Sequence, residues 1–208
     1  MPLIFSETID RGTKIGVWKI TEAEDFFSAR IGDAGHIAHP RKRLQHLAGR
    51  YLLKELLPAV DLNKMIITAA GKPLVADQGP HFSIAHCADV AAVIVSDDRE
   101  VGVDVELPSH KIMLIRNKFL HPAELEMLAA FDHDVVRMYT LAWSIKEAMF
   151  KWYGLGGVDF RQHLQIHEIH PGAGWWKAAC TFNKDSAIEL TAYIRSIDGV
   201  YLSWVRKV

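Results

Sequence analysis

Two stretches of helical periodicity stand out along the chain, each among shorter segments that alternate between hydrophobic and polar residues. The first runs from Arg41 to Leu57, with Pro40 before it and Pro58 after it. Its apolar residues recur every three or four positions, as expected for one face of a helix. The second runs from Val135 to Tyr153 and stops at Gly154, a residue type that commonly ends helices. Both stretches are therefore predicted to be long helices.

The alternating segments predict short strands, which favour antiparallel pairing because they follow one another closely. The predicted strands are residues 14–20, 64–69, 73–76, 80–87, 90–96, 101–106, 164–169, 175–182, 188–194 and 201–205. Two shorter helices are predicted as well. One reaches Ala29 from a capping box made by Thr21 and Glu24, and the other begins at His121 and ends near Phe131. Residues 108–118 have no clear pattern.

Each half of the chain contains helical segments and several strands, so the predicted fold class is α+β. We expect a pseudo-twofold pair of similar subdomains, each a small antiparallel sheet packed with a long helix. The boundary is predicted near Glu100, which gives an N-terminal subdomain of residues 1–100 and a C-terminal subdomain of residues 101–208. No residue-level repeat relates the halves.

Composition narrows the class of protein. The chain has 208 residues, half of them hydrophobic, and a formal net charge of −1. This balance is ordinary for a soluble globular protein and does not indicate bulk attraction to nucleic acid or to an anionic membrane. Cys87 and Cys180 are too few for a disulfide framework, so we expect buried thiols in a reducing compartment. The N-terminus has no secretory signal pattern, which favours the cytoplasm.

Three carboxylates in two separate motifs carry the candidate chemistry. In the strand Val101–Glu106, Asp104 and Glu106 are two residues apart and therefore point to one face. In the helix that follows, Glu147 and Lys151 are four residues apart and therefore neighbours. Oxygen ligands suit Mg²⁺ better than zinc, and Mg²⁺ is commonly shared with substrate phosphates. Each motif alone would also suit a solvated strand face or an ordinary helix ion pair.

Together the two motifs resemble the signature of the 4′-phosphopantetheinyl transferase superfamily, specifically its larger, monomeric surfactin-synthetase-activating type. That signature is apolar-Gly-apolar-Asp-apolar-Glu, followed roughly forty positions later by Trp-Ser-x-Lys-Glu-Ala-x-x-Lys. Val101–Glu106 and Trp143–Lys151 match it in full. Two multi-residue motifs at a restricted spacing make the resemblance specific.

The resemblance extends upstream and covers about residues 41–157. Arg43 and Leu47–Arg50 resemble the family's basic first helix, and Gly71–Pro73 resembles its Gly-Lys-Pro turn. Phe82–Cys87 resembles its Phe-Asn-Ile-Ser-His-Ser strand. Three positions depart from that strand, namely Ser83, Ala85 and Cys87.

The resemblance implies a Mg²⁺-dependent holo-[acyl-carrier-protein] synthase. Such an enzyme moves the 4′-phosphopantetheine arm of coenzyme A to a serine of an acyl or peptidyl carrier protein and releases adenosine 3′,5′-bisphosphate. Asp104, Glu106 and Glu147 would hold the metal. Glu147 would also be the base, and Lys151 would stabilise the leaving phosphate. The residues implied for coenzyme A are Arg43, Arg50, Lys72, Ser83, His86 and Lys146.

Three of these roles have alternatives. Ala85 removes a serine hydroxyl that Ser83 or a backbone N–H would have to replace. Lys146 is either a coenzyme A contact or a solvated helix charge. Glu147 at an ordinary pKa of about 4.3 is a weak base, so metal activation or a water relay would carry much of the deprotonation.

Residues 109–120 mix basic and apolar side chains, and the resemblance implies that they dock an acidic carrier protein. The predicted docking segment contains Lys111, Met113, Arg116, Lys118 and Phe119. The alternative is an amphipathic segment packed on its own core. A monomer is expected, because one chain supplies both halves.

Two other functions fit the same residues. A Mg²⁺-dependent phosphoanhydride or phosphodiester hydrolase would use the carboxylates on water instead of on a serine. A noncatalytic coenzyme A or carrier-binding module would need no full set of Asp104, Glu106, Glu147 and Lys151. The carrier itself is left open.

Overall fold

The computed structural model describes residues 2–75, 79–131 and 134–207, and the chain divides into two compact units, residues 1–101 and 102–208. Each unit contains an antiparallel sheet packed against helices, which confirms the predicted α+β class. None of the described helices is both long and apolar enough to cross a membrane.

The first unit packs two helices on a four-stranded antiparallel sheet. Its elements are β1 (Leu3–Asp10), β2 (Thr13–Lys19), α1 (Glu24–Ile31), α2 (Pro40–Leu56), β3 (Met65–Ile67), β4 (Pro73–Val75), β5 (His81–Cys87) and β6 (Val90–Ser96). The sheet has the order β1-β2-β6-β5, and β3 and β4 form a separate hairpin. Helix α2 buries Leu47, Leu52 and Leu53 in the core of this unit.

The second unit packs three helices with a five-stranded antiparallel sheet. Its elements are β7 (Gly102–Glu106), α3 (Ile112–Phe119), α4 (Pro122–Ala129), α5 (Val135–Tyr153), β8 (Leu164–Gly172), β9 (Trp175–Asn183), β10 (Ala187–Ile197) and β11 (Val200–Lys207). The sheet has the order β7-β11-β10-β9-β8. The acidic strand β7 is thus an edge strand that pairs with the last strand of the described chain.

Both ends of α5 are fixed by local chemistry. The Asp134 carboxylate caps the first turn by accepting the Val136 N–H at 2.9 Å. Gly154 ends the helix in the left-handed region, with φ of 71°, and donates its N–H to the Phe150 carbonyl oxygen. Glycine adopts this conformation without steric cost, so the sequence stops the helix where the pattern predicts.

Helix α5 lies directly against β7, and Gly102 makes this approach possible. A Cβ added at Gly102 would meet the carbonyl oxygen of Ala148 and lie 2.5 Å from the amide nitrogen of Trp152. No side chain fits between backbones that are this close. The glycine of the acidic motif therefore sets the distance between the strand and the helix.

The long helices and most strands lie where the sequence predicts them, and three differences are informative. The sequence does not predict β1 or α3, and α3 begins within the unassigned region of residues 108–118 and ends one residue beyond it. The capping box of Thr21 and Glu24 is wrong, because α1 has Ala23 at its N-cap with no side-chain cap. The Ala76 end of the predicted strand 73–76 lies outside the described residues. Of the two cysteine thiols, Cys180 is buried and Cys87 is partly buried.

We predict that Gly102→Ala destabilises the second unit, because the added methyl group must push α5 away from β7. Overpacking of this kind costs about 1–3 kcal/mol in free energy of unfolding. Urea unfolding followed by intrinsic fluorescence measures the change. Gly12→Ala is the matched control, since its Cβ would lie at an ordinary 3.5 Å from Asp97. Equal stability of the two variants would contradict the account.

Candidate active site

The two acidic residues of β7 share the face that α5 covers, as the sequence predicts. Strand alternation places Gly102, Asp104 and Glu106 on this face. Asp104 is 4% exposed, and its Oδ1 accepts a hydrogen bond from Lys151 Nζ of α5 at 2.6 Å. Because this ion pair is largely shielded from water, its electrostatic attraction is stronger than that of a surface pair.

The second oxygen of Asp104, Oδ2, is buried and accepts no hydrogen bond from any residue that the structure describes. A buried carboxylate oxygen left in this way costs free energy that a cation or a donor would recover. Half of this carboxylate is therefore available to a ligand.

Glu106 is oriented by Trp143, the first residue of the helical motif. Trp143 Nε1 donates to Glu106 Oε1 at 3.1 Å. Its indole is itself held by Phe119, edge to face at 4.9 Å, and by Phe160, stacked at 5.5 Å. Trp143 is therefore both an anchor in the core and the residue that positions a carboxylate.

Glu147 is affected by the two β7 carboxylates. Burial, together with the negative charges of Asp104 and Glu106 and against the opposing effect of Lys151, raises the pKa of Glu147 to about 7. At neutral pH this group is poised between its two protonation states, which suits a general base. The sequence-based expectation of an ordinary glutamate and a weak base is thus wrong for this site.

Two buried hydroxyl groups lie beside these carboxylates. Ser203 of β11 pairs directly with Asp104 across the sheet, and Ser144 of α5 is one turn before Glu147. Both residues are fully buried, and within the described part of the chain neither Oγ has a hydrogen-bond partner. The polar atoms on this part of the α5–β7 contact are thus incompletely satisfied.

The donors present fit a hard divalent cation in their chemistry. They are carboxylate oxygens, one of them buried without a partner, and their charges repel. In the described parts of the chain, however, no three Asp, Glu, His or Cys side chains are already arranged around a common ligand position. The positive charge beside Asp104 is instead the ammonium of Lys151.

Lys146 is a structural residue, which corrects both sequence-based alternatives for it. It is fully buried, and its Nζ donates to Glu124 Oε2 at 2.6 Å and to the carbonyl oxygens of Phe119 and Phe160. All three ammonium hydrogens are used, so Lys146 is neither a solvated charge nor available to a coenzyme A phosphate. The other oxygen of Glu124 accepts the Ile166 N–H of β8.

Three basic residues proposed for coenzyme A lie in the first unit. Arg43 is held at 2.7 Å by Glu24 of α1 and donates to the Ile37 carbonyl oxygen. Arg50, two turns further along α2, contacts His46 Nδ1 at 2.9 Å. Lys72 Nζ donates to Glu100 at 2.6 Å. Arg43 and Arg50 thus belong to one helix but have different partners.

Strand β5 separates the other two residues proposed for coenzyme A. His86 is exposed and lies on the same strand face as Phe82 and Ile84, which pack with α2. Ser83 is 5% exposed and, by strand alternation, lies on the opposite face. Ala85 lies on that same face, so replacement of its lost hydroxyl by Ser83 stays a prediction.

The predicted docking segment forms α3, and only part of it faces solvent. Phe119 is 2% exposed and packs on Trp143, so its place in the segment is wrong. Met113 is partly buried, and Arg116 is bound to the Met113 carbonyl oxygen. The exposed apolar residue is instead Leu114, which is 83% exposed. Lys111 and Lys118 are exposed as well.

Comparison of the sequence with known proteins identifies the family of this chain. The profile of the 4′-phosphopantetheinyl transferase superfamily matches residues 100–195. The 4′-phosphopantetheinyl transferase AcpT of Escherichia coli O157:H7 is 33% identical over 138 residues, which cover 62% of this chain and 70% of that relative. The 4′-phosphopantetheinyl transferase HetI of Nostoc is 26% identical, over 62% of this chain and 60% of that protein. Enterobactin synthase component D of Salmonella typhi is 29% identical, over 68% and 61%.

The sequence alone does not single out four residues that contact the candidate site residues or their neighbours, namely Glu124, Ser203, His46 and His36. Glu124 was recognised only as part of a helix start, and Ser203 lies in a strand with no motif. His36 and His46 also escaped notice, because a histidine near or within a basic helix carries no pattern of its own. Their roles depend on contacts between elements, which one-dimensional spacing does not report.

We predict that Glu147→Gln raises the stability of the metal-free protein at alkaline pH. Burial and repulsion raise the pKa of Glu147, so the native carboxyl favours its neutral form. The stability that the protonated carboxyl contributes to the folded protein is fully present below about pH 4.5 and is lost as pH rises through about 7. Glutamine is always neutral and therefore avoids this loss. In chelator at pH 8, the melting temperature of Glu147→Gln should exceed that of the wild type by about 2–8 °C.

The gain should disappear near pH 4.5, where both side chains are uncharged. Glu126→Gln on α4 is the control, since Glu126 is exposed. A variant that is no more stable than the wild type at pH 8 would contradict the raised pKa.

Proposed function

The chain belongs to the 4′-phosphopantetheinyl transferase superfamily and is an enzyme that transfers phosphopantetheine to carrier proteins, and on this premise we propose how its second unit performs the transfer. The observation that carries the proposal is the contact of Asp104 with Lys151, one turn of α5 after Glu147. It joins an acidic strand to a helix that carries both a base and a cation.

Asp104, Glu106 and Glu147 are the proposed ligands of Mg²⁺. The buried Oδ2 of Asp104 supports this role, as does the mutual repulsion of the three carboxylates. When bound, the ion would neutralise charge on the diphosphate of coenzyme A. Trp143 holds the Glu106 carboxylate for the same purpose.

Glu147 is the proposed base for the carrier serine. The serine oxygen forms a new bond to the phosphorus that bears the pantetheine arm, and the phosphoanhydride bond to the nucleotide breaks. The serine proton passes to the Glu147 carboxylate, and adenosine 3′,5′-bisphosphate leaves. The pKa of about 7 belongs to Glu147 without a metal ion, and a cation bound to the three carboxylates would lower it, so direct transfer and a water relay both stay open.

Lys151 is the proposed stabiliser of the leaving phosphate. In the structure its ammonium is bound to Asp104. Lys151 would stabilise the anionic leaving group with its ammonium once Asp104 is engaged as a metal ligand. Arg50, His86 and Lys72 of the first unit stay the leading residues proposed for the phosphates of coenzyme A. Arg43 has a structural partner in Glu24.

Finer assignments rest on the sequence. The surfactin-synthetase-activating type, the monomeric state and the cytoplasmic location stay predictions. Family membership favours transfer over the hydrolase and the noncatalytic module, since both alternatives leave a carrier unmodified.

We predict that Lys151→Ala and Glu147→Gln each reduce kcat by about 100-fold or more, as expected for lost charge-stabilising or acid–base groups. Intact-mass spectrometry of apo-carrier proteins with coenzyme A and Mg²⁺ measures the transferred arm. Lys177→Ala and Glu126→Gln, both exposed, are the matched controls and should retain wild-type rates. Wild-type turnover by either active-site variant would refute the assignment.

Carrier docking is proposed for the exposed face of α3. Lys111, Leu114 and Lys118 follow a spacing of three and four, so they form one stripe with an apolar residue between two cations. Such a stripe suits transient contact with an acidic partner. Arg116 remains part of the basic segment but is bound to its own backbone.

We predict that Lys118→Glu combined with Leu114→Ser raises KM for the carrier about tenfold or more and leaves coenzyme A affinity unchanged. The change removes one anchor and reverses one steering charge, and Lys177→Glu serves as a distant charge-reversal control. Steady-state kinetics with varied carrier concentration provides the test. Carrier KM values that match the control would rule out this surface.

A further inference from the structure

A group of three histidines and one arginine surrounds the middle of α2 in the first unit. His46 and Arg50 are one turn apart on the helix, and Arg50 Nη1 lies 2.9 Å from His46 Nδ1. The ring of His36, from the segment before α2, packs edge to face on His46 with centroids 5.7 Å apart. His86 of β5 lies near enough for its charge to act on His46.

The contact with Arg50 fixes the protonation of His46. Arginine has donors only, so the Nδ1 of His46 must accept, and the single proton of the neutral ring is then on Nε2. Burial, followed by the positive charges of Arg50, His36 and His86, lowers the pKa of His46 to about 4. The ring is therefore neutral in the unliganded protein.

The elements around His46 offer little negative charge to balance this group. On α1, Glu24 is paired with Arg43. Strand β6, which packs against α2, has no ionisable residue between Val90 and Ser96. Within α2, the residues one turn before His46 are Lys42 and Arg43, which are cations as well. Arg50, His36 and His86 thus surround a ring that burial, together with their repulsion, keeps uncharged.

We propose that His36 and His46 complete, with Arg50 and His86, a site for a phosphate monoester, and that occupation of the site loads a proton onto His46. The inference rests on the proposed function, because the phosphate is taken to be the 3′-phosphate of coenzyme A. His36 and His46 then join Arg50 and His86 as residues that bind the substrate.

The contact of Arg50 with His46 explains why phosphate binding and protonation of His46 are linked. A phosphate dianion attracts the Arg50 guanidinium, which leaves His46 Nδ1 without its donor. Nδ1 then takes a proton from solvent, and the imidazolium donates to the phosphate through a charge-assisted hydrogen bond. The negative charge of the ligand offsets the repulsion that, together with burial, keeps the ring neutral in its absence. One proton is taken up from solvent at His46, and no covalent bond of the ligand changes.

The affinity contributed by His46 should therefore grow as pH falls. Coenzyme A binding itself also changes with pH, because a phosphate monoester has a second pKa near 6. Comparison of two proteins with the same ligand at the same pH removes this effect. His46→Gln is the suitable variant, since its amide still offers an N–H in place of Nε2–H but never titrates.

The test measures the Kd of coenzyme A by calorimetry for the wild type and for His46→Gln between pH 6 and 8. The ratio of the variant's Kd to the wild-type Kd should be within about threefold at pH 8 and rise to about tenfold or more at pH 6, the worth of a hydrogen bond to a charged group. His110→Gln, an exposed histidine of the second unit, should give a ratio of about one throughout. Thermal unfolding at pH 8 checks that the variants are folded.

Dephospho-coenzyme A, which lacks the 3′-phosphate, distinguishes the possible failures. With this ligand the ratio should stay near one at every pH. Coenzyme A binding with a ratio independent of pH would overturn the proton-linked site and leave the proposed function standing. A pH-dependent ratio shared by both ligands would overturn the assignment to the 3′-phosphate. Failure of the wild type to bind coenzyme A at any pH would overturn both proposals.

Discussion

The direct contact of α5 with β7 is the constraint on which the catalytic unit depends. Gly102 lets the helix backbone approach the strand, and this approach brings Lys151 within 2.6 Å of Asp104. The same approach places three carboxylates where burial and repulsion raise the pKa of Glu147. The unit thus stores unfavourable electrostatic energy at the place where a cation is proposed to bind, and active sites commonly retain such strain at the expense of stability.

Two adjacent residues of α5 have different roles. One adds to the unfavourable repulsion between carboxylates, and the other holds the helix in place. Glu147 belongs to the acidic group, whereas Lys146 is buried with Glu124 and donates to the carbonyl oxygens of Phe119, the last residue of α3, and of Phe160, which precedes β8. Burying such a pair is costly unless its hydrogen bonds are complete. They are complete here for the ammonium, and the network connects α3, α4, α5 and β8. It fixes the rotation of α5 about its axis, and therefore the direction in which Glu147 and Lys151 point.

The sequence predicts the periodic elements and the acidic motifs well, because these depend on local spacing. Both long helices lie where the apolar stripes end at Pro58 and Gly154, and Asp104 and Glu106 share a face because strand side chains alternate. The sequence does not reveal partners that come from distant elements. The sequence allows Lys146 to be a solvated helix charge, but the structure buries it fully. The sequence likewise places Phe119 in an exposed docking segment, but the structure packs it on Trp143. The pKa of Glu147 likewise depends on a β-strand more than forty residues away.

The central claim is that Asp104, Glu106 and Glu147 bind one divalent cation together. Electron paramagnetic resonance of Mn²⁺, titrated into the protein with coenzyme A present, measures this most directly, because free and bound Mn²⁺ have distinct signals. The account predicts one tightly bound ion per chain in the wild type, lost in Asp104→Asn and retained in the control variant Glu126→Gln. Undiminished binding by Asp104→Asn, or no binding by the wild type, would contradict it.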